Sequence, residues 1–558
     1  MDNFLNQVER LLHEKTVREL KSIITSLAEK APISSHQIFL SLLENKSLQI
    51  NASDGDKVNS ADILSRIKKL YEKTPDYDIE VVYDYDDYDD YNHYDGWDDY
   101  GDEDYIVKND DGFADEFLYC YNAAEILLAK GSFNEAAEAF RILFDTIEVF
   151  DECNEVQDFG EFSFEYMVDC GALKLDLKRA KALRGYSALM SENRDLVTEL
   201  TFIYTLCGTF EPLMFKEILE AGSVPVPGKE EVIAAWVTVL KAQNPVKASP
   251  FVKEAAEISG NNEIMEDYAR TAGKAEPVVY LDLCELLAQR DAPIEKVIQT
   301  AYDGLENTDI YAGRRDKLAS LLADTATKAG DTDMYTYAVS QRFYSTANFD
   351  NYLAVYKLDD KELNEKALSV LDLKRKKSIE PFRKDSDFYI IHMLNRNYDM
   401  VFDELKKDTE SLGWSYSLKG TLFPFFLGLI VNFSDKALMT QRLVNSSVNT
   451  SEPDVYSYFR NNTGRISHEQ DKRWRNWCVN EVRSRADAIV SGGHRGSYFK
   501  AAELLVALYE TWLYDKQVDN ESGLGEILTE YNAKYPRHRS FKSDFRDAIE
   551  KAKLTIKL

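Results

Sequence analysis

The sequence predicts an all-α protein: a degenerate α-solenoid assembled from helical hairpins. Three observations lead there. Apolar residues recur at three- and four-residue spacing along most of the chain, as in Phe4, Leu5, Val8, Leu11 and Leu12. Short Gly- or Asn-bearing turns separate these apolar segments, as at Ala329-Gly330-Asp331 and Asn395-Arg396-Asn397. No Val/Ile/Thr-rich alternating run reads as a sheet strand, apart from Ile79-Glu80-Val81-Val82-Tyr83.

Taken in order, residues 1–75 read as helices. Val17, Leu20, Ile23, Ile24 and Leu27 form one apolar stripe, with Thr16 as N-cap and Glu19 as its capping-box partner. Ile63, Ile67 and Leu70 mark another helix before Pro75. Residues 76–112 change character. Fourteen acids lie between Asp76 and Tyr105, interleaved with Tyr85, Tyr88 and Trp97, and neither helical nor strand periodicity survives. Mutual repulsion predicts an extended, solvated acidic loop or linker. Two functional readings stand beside it. Alternating acids and aromatics, with Tyr85, Tyr88 and Trp97 as contacts, could dock a basic partner or mimic DNA. Clustered carboxylates could hold a calcium ion, but the EF-hand pattern of Gly at position six and Glu at twelve is absent.

From 113 to 450 helices return with a local grammar. Gly131-Ser132-Phe133-Asn134-Glu135-Ala136-Ala137 is matched much later by Gly496-Ser497-Tyr498-Phe499-Lys500-Ala501-Ala502. In each, Gly is expected to take the left-handed conformation that ends a helix, and Ser to cap the next. The aromatic fills the corner, and paired Ala residues let two backbones approach. This resembles the tetratricopeptide-type helical hairpin. Weaker copies lie at Ser259-Gly260-Asn261, Gly330-Asp331-Thr332 and Asn395-Arg396-Asn397. Their irregular spacing is what makes the array degenerate. Residues 451–558 form a last helical segment.

Charge separates the segments further. The chain carries −30, from 67 Lys and Arg against 97 Asp and Glu, which disfavours direct binding of nucleic acid. From Glu452 onward, 18 basic residues stand against 16 acidic ones, leaving about −32 on the first 451. A surface for nucleic acid is therefore expected only in the last segment. Two basic clusters lie there. In Lys472-Arg473-Trp474-Arg475-Asn476-Trp477, continued by Arg483 and Arg485, the tryptophans share a helix face. They either stack on single-stranded bases beside the arginines or fill the core while the arginines pair with acids. Arg537, Arg539, Lys542 and Arg546 pose the same alternative.

Catalytic grammar is missing. The sequence contains no G-x-x-x-x-G-K-[ST], G-x-G-x-x-G, H-E-x-x-H or G-x-S-x-G. Six cysteines, at 120, 153, 170, 207, 284 and 478, make no C-x-x-C pair and read as buried thiols of a reducing cytosol. None of the seven histidines pairs with another at metal-ligand spacing, and His392 reads as a core or groove residue. The turn Ser491 to Ser497 reads as a hairpin turn, with anion binding through its amides and Arg495 as the alternative. The apolar run Leu422–Phe433 is too short for a bilayer, which needs roughly 20 residues, and contains Pro424. The N-terminal residues lack a signal-peptide pattern. A cytoplasmic protein without a membrane span is expected.

Several short motifs resemble bacterial proteins that accompany a SWIM-type zinc finger: Leu412-Gly413-Trp414-Ser415, Gly420 with Leu422-Phe423-Pro424, Gly496 to Leu505, Tyr535 to Phe541, and Ala329 to Phe343 with Tyr352-Leu353. The finger itself, C-x-C followed by C-x-H, is absent, so the resemblance implies no zinc ligand or DNA contact here. What it implies is the helical-repeat portion and an interaction role. The overall expectation is a non-enzymatic scaffold, without cofactor or metal, that binds a protein partner of unspecified identity. The alternative is a nucleic-acid-associated protein acting through Arg473, Trp474, Arg475, Trp477, Arg483, Arg537 and Arg539, or through the acidic segment. An enzyme on an unfamiliar helical fold is the third reading.

Overall fold

The computed structural model describes residues 60–71, 78–82, 104–108, 113–144, 168, 173–192, 194–208, 213–377, 386–409, 412, 417–462, 464–513 and 523–554. The helices expected before residue 60, Tyr85, Tyr88 and Trp97 of the acidic segment, and Cys153 and Cys170 lie outside these. The chain divides into two compact units, Met1–Gly273 and Lys274–Leu558.

In the first unit the helices are α1 Ser60–Tyr71, α2 Phe113–Ala129, α3 Phe133–Leu143, α4 Leu177–Met190, α5 Leu196–Cys207, α6 Phe215–Leu219, α7 Lys229–Lys241, α8 Pro245–Ser259 and α9 Glu263–Arg270. The stripe Ile63, Ile67, Leu70 of α1 is buried as its spacing predicts. That face packs on α2 and α3. Helix α4 is the centre of the unit, with almost every residue from Leu177 to Met190 buried. It accommodates close neighbours because it is rich in small residues: a Cβ on Gly185 would lie 2.8 Å from Ile218 of α6. Trp236 of α7 is fully buried, stacked on Phe215 at 4.6 Å between centroids. Such aromatic packing gives wide seams between helices their van der Waals contact.

The ends of the acidic segment depart from the expected loop. Strand β1 Asp78–Val82 pairs antiparallel with β2 Asp104–Lys108, Ile79 opposite Val107 and Val81 opposite Tyr105. Apolar and acidic residues alternate in β1 and aliphatic residues return in β2. Inter-strand hydrogen bonds thus hold a two-stranded ribbon at the base of a segment whose charge alone argues for solvated chain.

The second unit contains α10 Pro277–Gln289, α11 Ile294–Asn307, α12 Arg315–Ala329, α13 Thr332–Ser345, α14 Phe349–Tyr356, α15 Lys361–Lys377, α16 Ser386–Leu394, α17 Tyr398–Leu405, α18 Leu418–Ile430, α19 Leu438–Ser447, α20 Val455–Asn462, α21 His468–Ser491, α22 Tyr498–Leu513, α23 Gly523–Lys534 and α24 Arg539–Lys551. Consecutive helices pack on one another through much of this series, as α10 on α11, α12 on α13 and α21 on α22. The boundary expected near residue 450 is not one. Helix α18 packs on α21, and α19 on α22, so residues 418–513 share a core.

One device closes the hairpins of both units. A residue one or two places past the helix is left-handed, and the next N–H reaches back five residues: Ser132 to Leu127 O (3.0 Å), Asn261 to Ala256 O (3.1 Å), Ala292 to Leu287 O (3.0 Å), Asp331 to Ala326 O (2.9 Å), Asn397 to His392 O (2.9 Å) and His494 to Ile489 O (3.2 Å). This satisfies carbonyls that a helix end leaves open. The left-handed residues are Gly131, Gly260, Asp291, Gly330, Arg396 and Gly493. Two details of the expected grammar are corrected. Gly496 has no positive φ; it lies in a 3-10 turn, Arg495–Ser497, and Gly493 takes the left-handed position three residues earlier. Ser132 occupies the N-cap of α3 but makes no side-chain cap bond, whereas Asp331 caps α13 by accepting from Met334 N at 3.0 Å.

A buried arginine shows how helix ends are satisfied without a carboxylate. Arg315, 3% exposed, donates to Leu305 O at the end of α11 (2.9 Å) and to Gln341 Oε1 (2.8 Å) and Ser345 Oγ (3.0 Å) at the end of α13. Lys374 Nζ reaches Ser345 O at 2.6 Å. Two helix C-termini, each with a partial negative charge, are what these cations face. Cys120, Cys207, Cys284 and Cys478 are buried free thiols. Burial pushes the thiol up to about 11 at Cys120 and to about 12 at Cys207 and Cys284. No helix among the described residues is long and apolar enough to cross a membrane.

Candidate functional site

The basic-aromatic run of α21 is structural. Trp474 is fully buried, its ring edge-on to Phe426 at 5.3 Å and tilted against Phe402 at 6.1 Å. Trp477, half-buried, meets Phe402 and Phe423 at 5.3 and 5.5 Å. The arginines pair with acids. Arg473 donates to Asp403 at 2.8 Å and stacks over Phe402, Arg475 pairs with Asp471 at 3.0 Å, and Arg483 with Glu530 at 2.9 Å. Trp474, Arg475 and Trp477 are therefore corrected from partner contacts to core and ion-pair residues. Spacing three on a helix puts both tryptophans on one face, and here that face is the core side. Arg537 and Arg539 do lie exposed, at the start of α24.

His392 is 5% exposed, as a core residue should be. Its Nε2 faces Asp372 Oδ1 at 3.2 Å, and its Nδ1 faces the Asn397 amide nitrogen at 3.0 Å. An amide nitrogen only donates, so the imidazole proton belongs on Nε2. Burial holds its pKa below the ordinary histidine value, against the raising effect of Asp372.

A second feature was not legible in advance: a groove in the first unit. Its centre is a cleft of about 740 Å³ between α6, α8 and the segment Gly222–Val226. It shares Lys229 and Ile258 with a cleft of about 590 Å³ along α7 and α8. It shares Gly222, Ser223 and Val224 with one of about 180 Å³ at the α2–α3 turn. Residues 222–228 run past it as an irregular, bent strap without helix or strand, in which Pro225 and Pro227 alternate with valines. Two bonds pin the strap: Tyr186 OH to Val224 O at 2.6 Å and Arg194 to Pro227 O at 3.3 Å. Gly222 is required, because a Cβ there would meet the Tyr186 ring at 2.2 Å. The pinned strap leaves Val224 45% exposed, across from a 36% exposed Met214. The alternation of Val and Pro was the one sequence signal for it; the remaining walls come from helices far apart in the chain.

Two acids at the groove, Glu254 and Glu217, are committed to structure. Glu254, 5% exposed, accepts from Phe215 N (2.9 Å) and Lys216 N (2.8 Å), capping α6, and burial raises its pKa despite those bonds. Glu217 accepts from Met214 N at 2.9 Å and pairs with Lys178 at 2.8 Å. Among the described residues no group of three or more His, Cys, Asp or Glu is placed to hold a metal ion. What the arrangement offers is a partly apolar, preformed trough whose rims carry exposed Glu220, Glu257 and Glu230 together with exposed Lys216, Lys229 and Lys241.

The fold defines the class: an all-α array of helical hairpins. No family model matches the chain. No curated protein matches it either. A solved structure described as a circular tandem repeat protein with novel repeat topology and enhanced subunit contact surfaces matches 79% of this chain and 78% of that one, at 13% identity and a TM-score of 0.13. At that score the likeness carries no argument about arrangement or function.

Proposed function

We propose that the protein is a non-enzymatic scaffold that holds an extended segment of a partner protein in the groove of its first unit. The observation that carries this reading is the pinned strap with Val224 and Met214 exposed across the central cleft. A backbone already fixed in the free protein does not have to be ordered on binding, which removes that part of the entropic cost. The charge of about −32 on the first 451 residues favours a cationic partner segment carrying aliphatic side chains. Helix-in-groove and extended-segment recognition both use such apolar pockets with a charged rim.

A photo-crosslinking residue placed at Val224 tests it directly. Crosslinks in native lysate should concentrate on one protein, survive nuclease treatment, and disappear when Met214 is changed to Asp. Crosslinks that scatter, or that resist Met214→Asp, would argue against the groove.

A further inference from the structure

A cationic surface forms in the second unit where the turn between α21 and α22 meets the start of α24. No acidic residue occurs between Asp487 and Glu503, and none between Glu530 and Asp544. The ring of Tyr498 joins the two windows, lying 5.9 Å from His538 and 5.9 Å from Phe541. Arg495, Lys500, Arg537 and Arg539 are exposed and Lys542 is half-buried. Among the described residues none of these five makes an ion pair, although basic residues nearby do: Lys534 with Asp487 at 2.6 Å and Lys551 with Glu503 at 3.2 Å. In a chain of −30 with 30 more acids than bases, a cluster of unpaired cations on abutting segments is a local exception.

The placement is also costly in the free protein. The first turns of α22 and α24 hold no acid, so cations crowd helix ends that already carry partial positive charge. Beside the turn, Phe499 is 43% exposed with Lys500 Nζ 5.9 Å from its ring. Guanidinium groups match phosphate in fork geometry, and an exposed aromatic ring among cations offers a stacking face for a base.

We infer that this surface binds the phosphate backbone of a single-stranded nucleic acid, with Arg495, Arg537 and Arg539 on phosphates and Phe499 against a base. The site is separate from the first-unit groove and does not depend on it.

The test is fluorescence anisotropy of the full chain with a labelled oligouridylate of about 20 nucleotides, between about 50 and 200 mM salt. Wild type is expected to bind at the low end and to weaken at least about tenfold across the range. The triple variant R495A/R537A/R539A should bind at least about tenfold more weakly and flatten the log–log salt slope by about 2, since each single-strand contact contributes roughly 0.7. The matching triple Arg→Lys variant should keep most of that slope, which separates charge from folding. Phe499→Ala should cost about fivefold or more. Absence of binding at low salt, binding untouched by the triple alanine variant, or equal binding of polyglutamate of the same length would overturn the assignment, the last in favour of an acidic protein segment.

Discussion

Glu510 of α22 and Thr440 of α19 are joined by two hydrogen bonds in the core, from the Thr440 amide (2.8 Å) and from its hydroxyl (2.7 Å) to Glu510 Oε2. Oε1 accepts from Met439 N at 2.8 Å. A carboxylate that is wholly buried thus caps the N-terminus of another helix, 70 residues away in sequence. Glu254 does the same for α6 in the first unit. Glu510→Ala would leave three donors without a partner in a place water does not reach. A loss of about 2–4 kcal/mol is expected in urea unfolding. Burial raises the Glu510 pKa. A carboxylate raised in the fold contributes stability below its unfolded pKa of about 4.3, which is lost as pH climbs through the folded value. The stability difference between wild type and Glu510→Gln should accordingly shift against wild type as pH rises from about 4.3. A flat difference would show that the cap holds its charge without penalty.

Trp474 and Arg473 are neighbours with opposite expected behaviour. Removing the Trp474 ring empties space between Phe402 and Phe426, so Trp474→Ala should cost about 3–5 kcal/mol. Arg473 is half-exposed and pairs with Asp399 and Asp403, so Arg473→Ala should cost no more than about 1 kcal/mol. Denaturant midpoints of the two variants check both figures. Near-equal losses would contradict the assignment of α21's aromatic face to the core.

The same helix shows what the sequence could and could not reveal. Helical periodicity identified α21, but Trp474 and Trp477 flanked by arginines suit a core face and a base-stacking face equally. Only the positions of Phe402, Phe426, Asp403 and Glu530, all remote in sequence, decide between them. Glycine made the ends of α2, α8 and α12 readable, because Gly131, Gly260 and Gly330 are the residues that turn left-handed at no steric cost. Asp291 and Arg396 take that conformation as non-glycine residues, which local sequence does not announce. The groove was illegible for a related reason. Its walls join Glu125, Tyr186 and Ile258 from three separate helices with Val224 of the strap, and no single stretch carries its pattern.

His392 gives the protein an acid-sensitive element. Its pKa is lowered by burial, so the neutral imidazole is the form the fold accommodates. A base depressed in the fold contributes stability above its unfolded pKa of about 6.5 and loses it as pH falls. Protonation would also place a new N–H at Nδ1 against the Asn397 amide donor. Wild type should lose stability relative to His392→Gln as pH drops below about 6.5. Melting temperatures across that interval check the sign, and a constant gap would mean that Asp372 compensates the added charge.

The turn at 491–497 separates backbone strain from side-chain contact in a single comparison. Gly493 has φ +69° and Gly496 does not have a positive φ, yet a Cβ at either would point into open space. Nothing but backbone conformation therefore distinguishes the two substitutions. In the left-handed region a Cβ crowds the carbonyl oxygen, at a cost of roughly 1–2 kcal/mol. Gly493→Ala should destabilise by about that amount, because the bonds from Gly493 N to Val490 O and from His494 N to Ile489 O fix the residue where it is. Gly496→Ala carries no such strain and restricts the unfolded chain, so it should be neutral or stabilising by up to about 1 kcal/mol. Gly493→Asn should recover part of the loss, since Asn enters the left-handed region more readily than Ala. If Gly496→Ala is the more damaging change, the hairpin closes at Gly496, as the repeated Gly-Ser-aromatic pattern first suggests, and the placement of the α21 C-terminus is wrong.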